Sequence, residues 1–425
     1  MSAIFCNIER KGIVMKSKEY SSIRLEVTSH CNMKCEYCHN AEYSNRKDDM
    51  SYGEIIELIG NLKKHYKINK ILITGGEPLT NPNICGIISY ITGLGIKADM
   101  VTNATLLTED MVKKLESAGL KRIRISIDDV GVEESLRHGS HSQMLWQKVQ
   151  MVRELSDIEV CIHTVCSPYN VDMLFDVYKK VIESGAARWR VFDVGFQGDL
   201  LKNMSSYDFE SYYQKLIEVS KKIIQDYLKH GYQDRLDIEI NNIFRTIMLH
   251  AVPSDDYDVM ANLRERLEKS PCDYVADHQI SVRSNGKATL CQYFHNTMFD
   301  FKEAGFDVDK AIAKLSPVEE YQISMKDLEH CAKCKYCLVC NSGCRARAKF
   351  LTDDVKDADA GACYICEKVY KEIVPLLPEN TQKAYNACIV EGGLEPKYSL
   401  QDLLEQLNKK GAIKWKLVLE FRMTM

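Results

Sequence analysis

Between residues 22 and 193 the chain repeats one unit six times, a short apolar and β-branched run followed by a stretch with helical spacing. The strand-like runs are SIRLEVTS (22–29), KILITGGEP (70–78), IKADMVTN (96–103), RIRISID (122–128), IEVCIHTV (158–165) and RWRVFDV (188–194). Between them stand helix signals. Ser51 and Glu54 form a capping box ahead of Ile55, Ile59, Leu62 and Tyr66, Asn81-Pro82 opens a second helix, and Thr108 caps EDMVKKL. Further helical stretches fall near 141–155 and 169–184. Six strand–helix units in succession demand parallel strands with outer helices, an open sheet or a partial barrel. Such sheets place their sites at the C-terminal ends of the strands. SHCNMKCEYC, TGGEP, TNAT and SIDD all fall there.

After about residue 200 the pattern gives way to a long helix, SYDFESYYQKLIEVSKKIIQDYLKH, and then to a cysteine-rich stretch from Cys272 to Cys366. The chain closes on a helix, SLQDLLEQLNKKG, and on IKWKLVLEF, whose alternating Ile413, Trp415, Leu417, Leu419 and Phe421 read as one face of a strand. The expected division is 1–200, 201–270 as a helical connection, 271–370, and 371–425. At 425 residues and 45% hydrophobic content the chain can bury a substantial core. Its formal charge of −4 offers no polycationic surface for nucleic acid or membrane. It shows no apolar run of membrane-spanning length and no signal-peptide pattern, so a cytoplasmic protein is expected. In a reducing compartment, 17 cysteines clustered at short spacings favour metal binding over disulfides.

The densest cluster is Cys31-x3-Cys35-x2-Cys38, directly after the first strand. Three soft thiolates can hold three irons of a [4Fe–4S] cube and leave the fourth iron open. An open iron can chelate a small molecule through an amine and a carboxylate. Gly75 and Gly76 let a ligand approach the backbone, and Glu77 can accept from an ammonium group. On these residues the chain resembles the radical S-adenosylmethionine (SAM) enzymes. That resemblance implies a partial (β/α)6 barrel whose cluster, with one open iron, binds SAM and cleaves it reductively to methionine and a hydrogen-abstracting 5′-deoxyadenosyl radical. It further implies Tyr37 beside the adenine, Asn103, Ser126 and Asp128 on the ribose or methionyl group, and Arg137 gripping a carboxylate with two bonds.

The cysteine-rich stretch carries Cys272-x13-Gly286-x4-Cys291 and then Cys331-x2-Cys334-x5-Cys340-x3-Cys344, with Cys363 and Cys366 beyond. This order is similar to the SPASM extension of radical SAM enzymes, a small C-terminal iron–sulfur domain. By that resemblance Cys272, Cys291 and Cys344 hold one auxiliary [4Fe–4S] cluster, and Cys331, Cys334, Cys340 and Cys363 hold a second. The first lacks a fourth thiolate, so Asp273, Asp277 or His278 completes it or one iron stays open. Cys337 and Cys366 are rival ligands, and a zinc ribbon would satisfy the same thiols. Cys6, Cys85, Cys161, Cys166 and Cys388 read as small core residues.

Auxiliary clusters suit chemistry that removes an electron after hydrogen abstraction. The family expectation is therefore a peptide or protein substrate, matured by cross-linking, thioether formation or dehydrogenation. An external donor such as flavodoxin or ferredoxin would supply electrons, and a leader peptide, if one is bound, would use a separate protein, the C-terminal segment or the barrel itself. In formylglycine-forming sulfatase maturases an aspartate follows the cysteine matching Cys291; here Gln292 stands there, which weakens that reading. The alternatives are a SAM-radical dehydrogenase or epimerase of a small metabolite, such as a sugar alcohol or nucleoside, and a non-enzymatic iron–sulfur scaffold. The catalytic residues cannot be assigned at this level.

Overall fold

The structure is a computed structural model that describes residues 19–20, 22–131, 137–138, 141–194, 208–240, 272, 279–294, 296–314 and 323–410. All six predicted strands form: β1 (Ser22–Glu26), β2 (Lys70–Thr74), β3 (Lys97–Thr102), β4 (Arg122–Ser126), β5 (Glu159–Cys166) and β6 (Arg188–Asp193). Between them run α1 (Tyr52–His65), α2 (Ile84–Gly93), α3 (Glu109–Ser117), α4 (Ser142–Leu155) and α5 (Leu174–Ser184). Every neighbouring pair from β1 to β6 is parallel, and spatial order follows chain order. That arrangement follows when each crossover turns the same way. It makes an α/β partial barrel with helices outside.

Local chemistry sets the helix ends. Ser51 Oγ accepts from Glu54 N, and the Glu54 carboxylate accepts from Ser51 N at 2.7 Å, so the capping box closes. α1 then buries Ile55, Leu58, Ile59 and Leu62, each contributing roughly 1.5–3 kcal/mol. Thr108 caps α3 through Met111 N. Asn81 does not open α2, which starts at Ile84 with Asn83 as its N-cap. The Asn81 amide is engaged elsewhere, donating to Val27 O at 2.8 Å and accepting from Asn83 N. It pins the end of β1 to the turn after β2.

The span read as a helical connection holds α6 (Phe209–Lys229) and also a strand, β7 (Asp237–Ile240), parallel to β6. The cysteine-rich stretch begins within the same sheet. Its β8 (Gln279–Val282) pairs parallel with β1, and β9 (Lys287–Thr289) and β10 (Phe299–Asp300) follow antiparallel. Beyond lie α7 (Arg345–Thr352), α8 (Ala360–Lys368), α9 (Glu379–Ala387) and α10 (Leu400–Lys409). Among the described residues no helix is long and apolar enough to cross a membrane. The strand pattern at 413–421, Cys6, Asp273, Asp277 and His278 lie outside the described residues.

Candidate active site

The loop after β1 carries Cys31, Cys35 and Cys38, all partly accessible. It is held from two sides. Lys34–Cys35 pairs antiparallel with Arg137–His138, so Arg137 lies directly across from Cys35. On the other side, Gly76 N and Glu77 N donate to Thr28 O and His30 O, both at 2.8 Å. The glycines are required by this contact. A Cβ on Gly76 would stand 2.3 Å from His30 O, and one on Gly75 would stand 2.3 Å from Thr28 O. The backbone they admit is that of the cysteine loop itself. Gly75 also holds φ +153°, in the region that favours glycine.

Glu77 is almost fully buried. Oε1 accepts from Thr102 Oγ1 at 2.6 Å and Leu79 N at 3.0 Å, and Oε2 accepts from Asn103 N at 2.7 Å. A carboxylate offers about four lone-pair sites, so one on Oε2 is left for a ligand. Burial raises its pKa, against the bonds from Thr102, Asn103 and Leu79. The Asn103 side chain donates to Asn32 Oδ1 at 2.9 Å, which ties the end of β3 to the cysteine loop. Ser126 lies half-buried at the end of β4.

Tyr37, Asp128 and Arg137 form a buried group beside Cys35. The Tyr37 hydroxyl donates to Asp128 Oδ2, Arg137 Nη1 donates to Tyr37 Oη at 3.1 Å, and Arg137 stands 3.6 Å from the Asp128 carboxylate. Tyr37 packs into the main core. Burial pushes the Cys35 thiol up to about 11, opposed by Arg137 and reinforced by Cys38, Asp128 and Cys31. Burial raises Cys31 as well. Three soft donors gathered on one loop, with a guanidinium beside them, fit an iron–sulfur cluster: cationic iron offsets the cost of ionising buried thiols. Among the described residues no three Cys, His, Asp or Glu side chains close on one point as ligands of a single ion would.

The second stretch gathers its cysteines into two groups. Cys272 and Cys344 lie near Cys291, whose thiol is pushed up to about 12 by burial and then by those two neighbours. Cys331, Cys334, Cys340 and Cys363 line one pocket together with Cys337 and Cys366. Burial takes Cys331 and Cys334 to about 11, and Cys340 acts on both. Cys166 and Cys388 are buried in the core and Cys85 packs against it, whereas Cys161, also buried, lies on the charged face of the sheet beside Arg124 and Arg188.

Three contacts that the spacing did not reveal bind the stretches together. Arg283 donates to Glu26 Oε1 at 3.1 Å, to Asn40 Oδ1 at 2.6 Å and to Gln292 O at 3.3 Å, joining β1, the cysteine loop and the Cys291 turn. Arg347 pairs with Asp193 at 2.8 Å and Asp359 at 2.7 Å. Asp359 in turn accepts from Cys344 N at 2.7 Å. An arginine directly after the apolar strand residue Val282 was the available signal at position 283.

A strand-end cysteine loop clasped by a glycine–glycine–glutamate turn, on a parallel partial barrel, defines a class of enzymes that cleave SAM at an iron–sulfur cluster. Residues 25–181 match the model of the radical SAM superfamily. That superfamily implies SAM and a [4Fe–4S] cluster as cofactors. The chain is 26% identical over 366 residues, 80% of this chain and 96% of the relative, to an AdoMet-dependent heme synthase of Methanosarcina barkeri. Other curated relatives, GTP 3′,8-cyclases and a PqqA peptide cyclase among them, are matched over half their length or less. Two solved structures share the fold. Streptococcus suis SuiB bound to precursor peptide SuiA has a TM-score of 0.59 at 15% identity, covering 84% of this chain and 78% of SuiB. Native anSMEcpe with bound AdoMet and Cp18Cys peptide has a TM-score of 0.62 at 17% identity, covering 86% and 99%.

Proposed function

We propose that this chain is a radical SAM enzyme that modifies a peptide side chain by dehydrogenation or by forming a cross-link or thioether, with two auxiliary [4Fe–4S] clusters in the cysteine-rich stretch. The observation that carries this reading is the position of Tyr293. It is buried within electrostatic reach both of Cys344 and Cys291 and of Arg24, on the inner face of β1. A group held by Cys272, Cys291 and Cys344 would therefore look into the barrel, where the substrate radical forms, and could take up the electron that remains after hydrogen abstraction. The cluster and SAM together supply the hydrogen-atom abstraction. Cys31, Cys35 and Cys38 would hold that cluster, with Glu77, Asn103, Ser126 and Asp128 orienting SAM. Tyr37 would lie by the adenine, and Arg137 would keep charge balance beside Cys35. Cys331, Cys334, Cys340 and Cys363 would hold the outer cluster, with Cys337 and Cys366 in the same pocket. The peptides named with SuiB and anSMEcpe support the substrate class.

A small-molecule substrate is the second reading, favoured by the near-complete overlap with the heme synthase. The test supplies reduced enzyme and SAM with peptides encoded beside the gene, and separately with small metabolites. Loss of about two hydrogens from one peptide, with deuterium from that residue appearing in 5′-deoxyadenosine, supports the peptide reading. Label arriving only from a metabolite overturns it.

A further inference from the structure

Inward positions of a closed (β/α) barrel are normally filled by branched apolar side chains. This partial barrel differs. Parallel neighbours in register present their side chains to the same face, and one face here carries Ile23, Ile71, Met100, Ile123, Ile162 and Trp189, all packed in the core. The opposite, inner face carries Arg24, Glu26, Lys70, Lys97, Asp99, Arg122, Arg124, Glu159, Cys161, His163, Arg188, Arg190, Asp237 and Glu239. His163 is paired in register with Ser126 on one side and Arg190 on the other, so this layer reaches the level of the proposed SAM residues.

The charges do not cancel. Arg122 pairs with Glu159 at 2.6 Å, Arg124 with Asp99 at 2.7 Å, Arg188 with Asp237 at 2.6 Å, and Arg190 with Glu239. Glu26 pairs with Arg283 at 3.1 Å, and Lys97, across from Lys70, is exposed, so two cations that are not exposed are left over. Arg24 makes no ion pair among the described residues, and neither does Lys70. The Lys70 ammonium is pushed down by burial and then by Arg124, against the opposing pull of Asp99. The hydrogen-bond count is incomplete as well. Arg24 Nε, Arg124 Nε, Arg188 Nε, Arg190 Nε and His163 Nε2 are buried without a protein partner. Most buried polar atoms are bonded, and an unmade bond costs about 1–3 kcal/mol. Arg124 is itself more than nine-tenths buried. Arg124, Arg190, Arg24 and Arg188 all act on the His163 ring, and with burial as the larger effect they hold it neutral, well below its ordinary pKa. A neutral imidazole can still donate one hydrogen bond.

We propose that this layer is the floor of the substrate site and binds a doubly charged acidic group, two carboxylates or one phosphate, with Arg24 and Lys70 supplying the matching charge and Arg124 and His163 supplying donors. Guanidinium groups suit this task because their paired N–H groups match carboxylate and phosphate oxygens. The inference rests on the reading that the barrel interior holds the substrate, and within the peptide reading it makes the modified region acidic.

Anaerobically reconstituted enzyme with SAM is titrated calorimetrically with glutarate, inorganic phosphate and neutral glutaramide. The expected result is binding of glutarate or phosphate, whichever the spacing favours, and none of glutaramide. Arg24→Gln and Lys70→Gln should each weaken the anion at least about tenfold, the worth of one charge-assisted hydrogen bond, and Arg24→Lys should restore most of it. Equal binding of glutaramide, or undiminished anion binding by Arg24→Gln, overturns the proposal. So does iron loss in Arg24→Gln that Arg24→Lys repairs without restoring anion binding, because Arg24 would then serve the neighbouring thiol group. Turnover separates the two levels of inference. Modification of a peptide with Gln and Asn in place of its acidic residues, at the rate of the acidic peptide, overturns the anion floor and leaves the peptide reading standing. Consumption of a dicarboxylate or phosphorylated metabolite with no peptide accepted supports the floor and overturns the peptide reading.

Discussion

Replacing Arg347 by Met removes the cation that joins the last of the six predicted strands to the cysteine-rich stretch. Its partners are deeply buried, with Asp193 4% and Asp359 0% exposed at the side chain. In the variant Asp193 keeps a bond from Tyr212 Oη at 2.6 Å, and Asp359 keeps bonds from Cys344 N at 2.7 Å and Ala362 N at 3.3 Å. None of these bonds supplies a counter-charge. Breaking a buried ion pair from one side costs about 3–5 kcal/mol. An independent bound agrees: protonating a carboxylate of solution pKa about 3.9 at pH 7 costs about 4 kcal/mol. Hydrogen exchange of the α7 and α8 amides should therefore accelerate by roughly 10²–10⁴-fold. The sign of the pH dependence follows. A carboxyl left buried without Arg347 has a folded-state pKa above its unfolded value, so stability returns as pH falls, and the gap to the wild-type chain should narrow between pH 8 and pH 6 by about tenfold per unit for each neutralised carboxylate. Adding Asp193→Asn and Asp359→Asn should recover part of the loss. Exchange within about threefold of wild type in the single variant, at both pH values, would refute the reasoning.

Gly76→Ala places a Cβ 2.3 Å from His30 O. The cysteine loop must then move by about 1 Å at a cost of roughly 1–3 kcal/mol, and iron analysis should show about four irons fewer per chain. Glu77→Ala leaves Leu79 N and Asn103 N without their acceptor; equilibrium dialysis should show SAM binding weakened at least about tenfold, with iron content retained. Anaerobically reconstituted wild-type protein should hold roughly twelve irons per chain if both auxiliary clusters are of the four-iron type. Stoichiometric zinc with only four irons would make the cysteine-rich stretch a structural ribbon.

The six strands were legible because each is a short apolar run bounded by helix caps and turn residues, and Ser51 with Glu54 and Thr108 announced their helices by chemistry that acts within four residues. β7 escaped notice because DIEI is four residues long and follows a 21-residue helix. Asn81 looked like a helix opener, but its amide satisfies Val27 O across 54 residues, a partner that no local pattern reveals. The cysteine loop was readable from spacing, whereas the grouping of Cys272 with Cys344 came from the family resemblance, since those residues meet only through the fold. Gly75 and Gly76 were singled out for a ligand's approach; the structure adds that the cysteine loop itself needs them. The inner-face arginines were visible in RIRI and RWR only as strand alternation. That they converge on His163 depends on strand register, which the sequence does not print.

The measurement that bears most directly on the account is SAM cleavage by chemically reduced enzyme, comparing wild type with the variant in which Cys31, Cys35 and Cys38 are all alanine. The account predicts that wild type yields 5′-deoxyadenosine and methionine, and that the variant yields neither while losing about four irons and keeping those of the cysteine-rich stretch. Undiminished 5′-deoxyadenosine from the variant would contradict the assignment of the cleavage site to this loop.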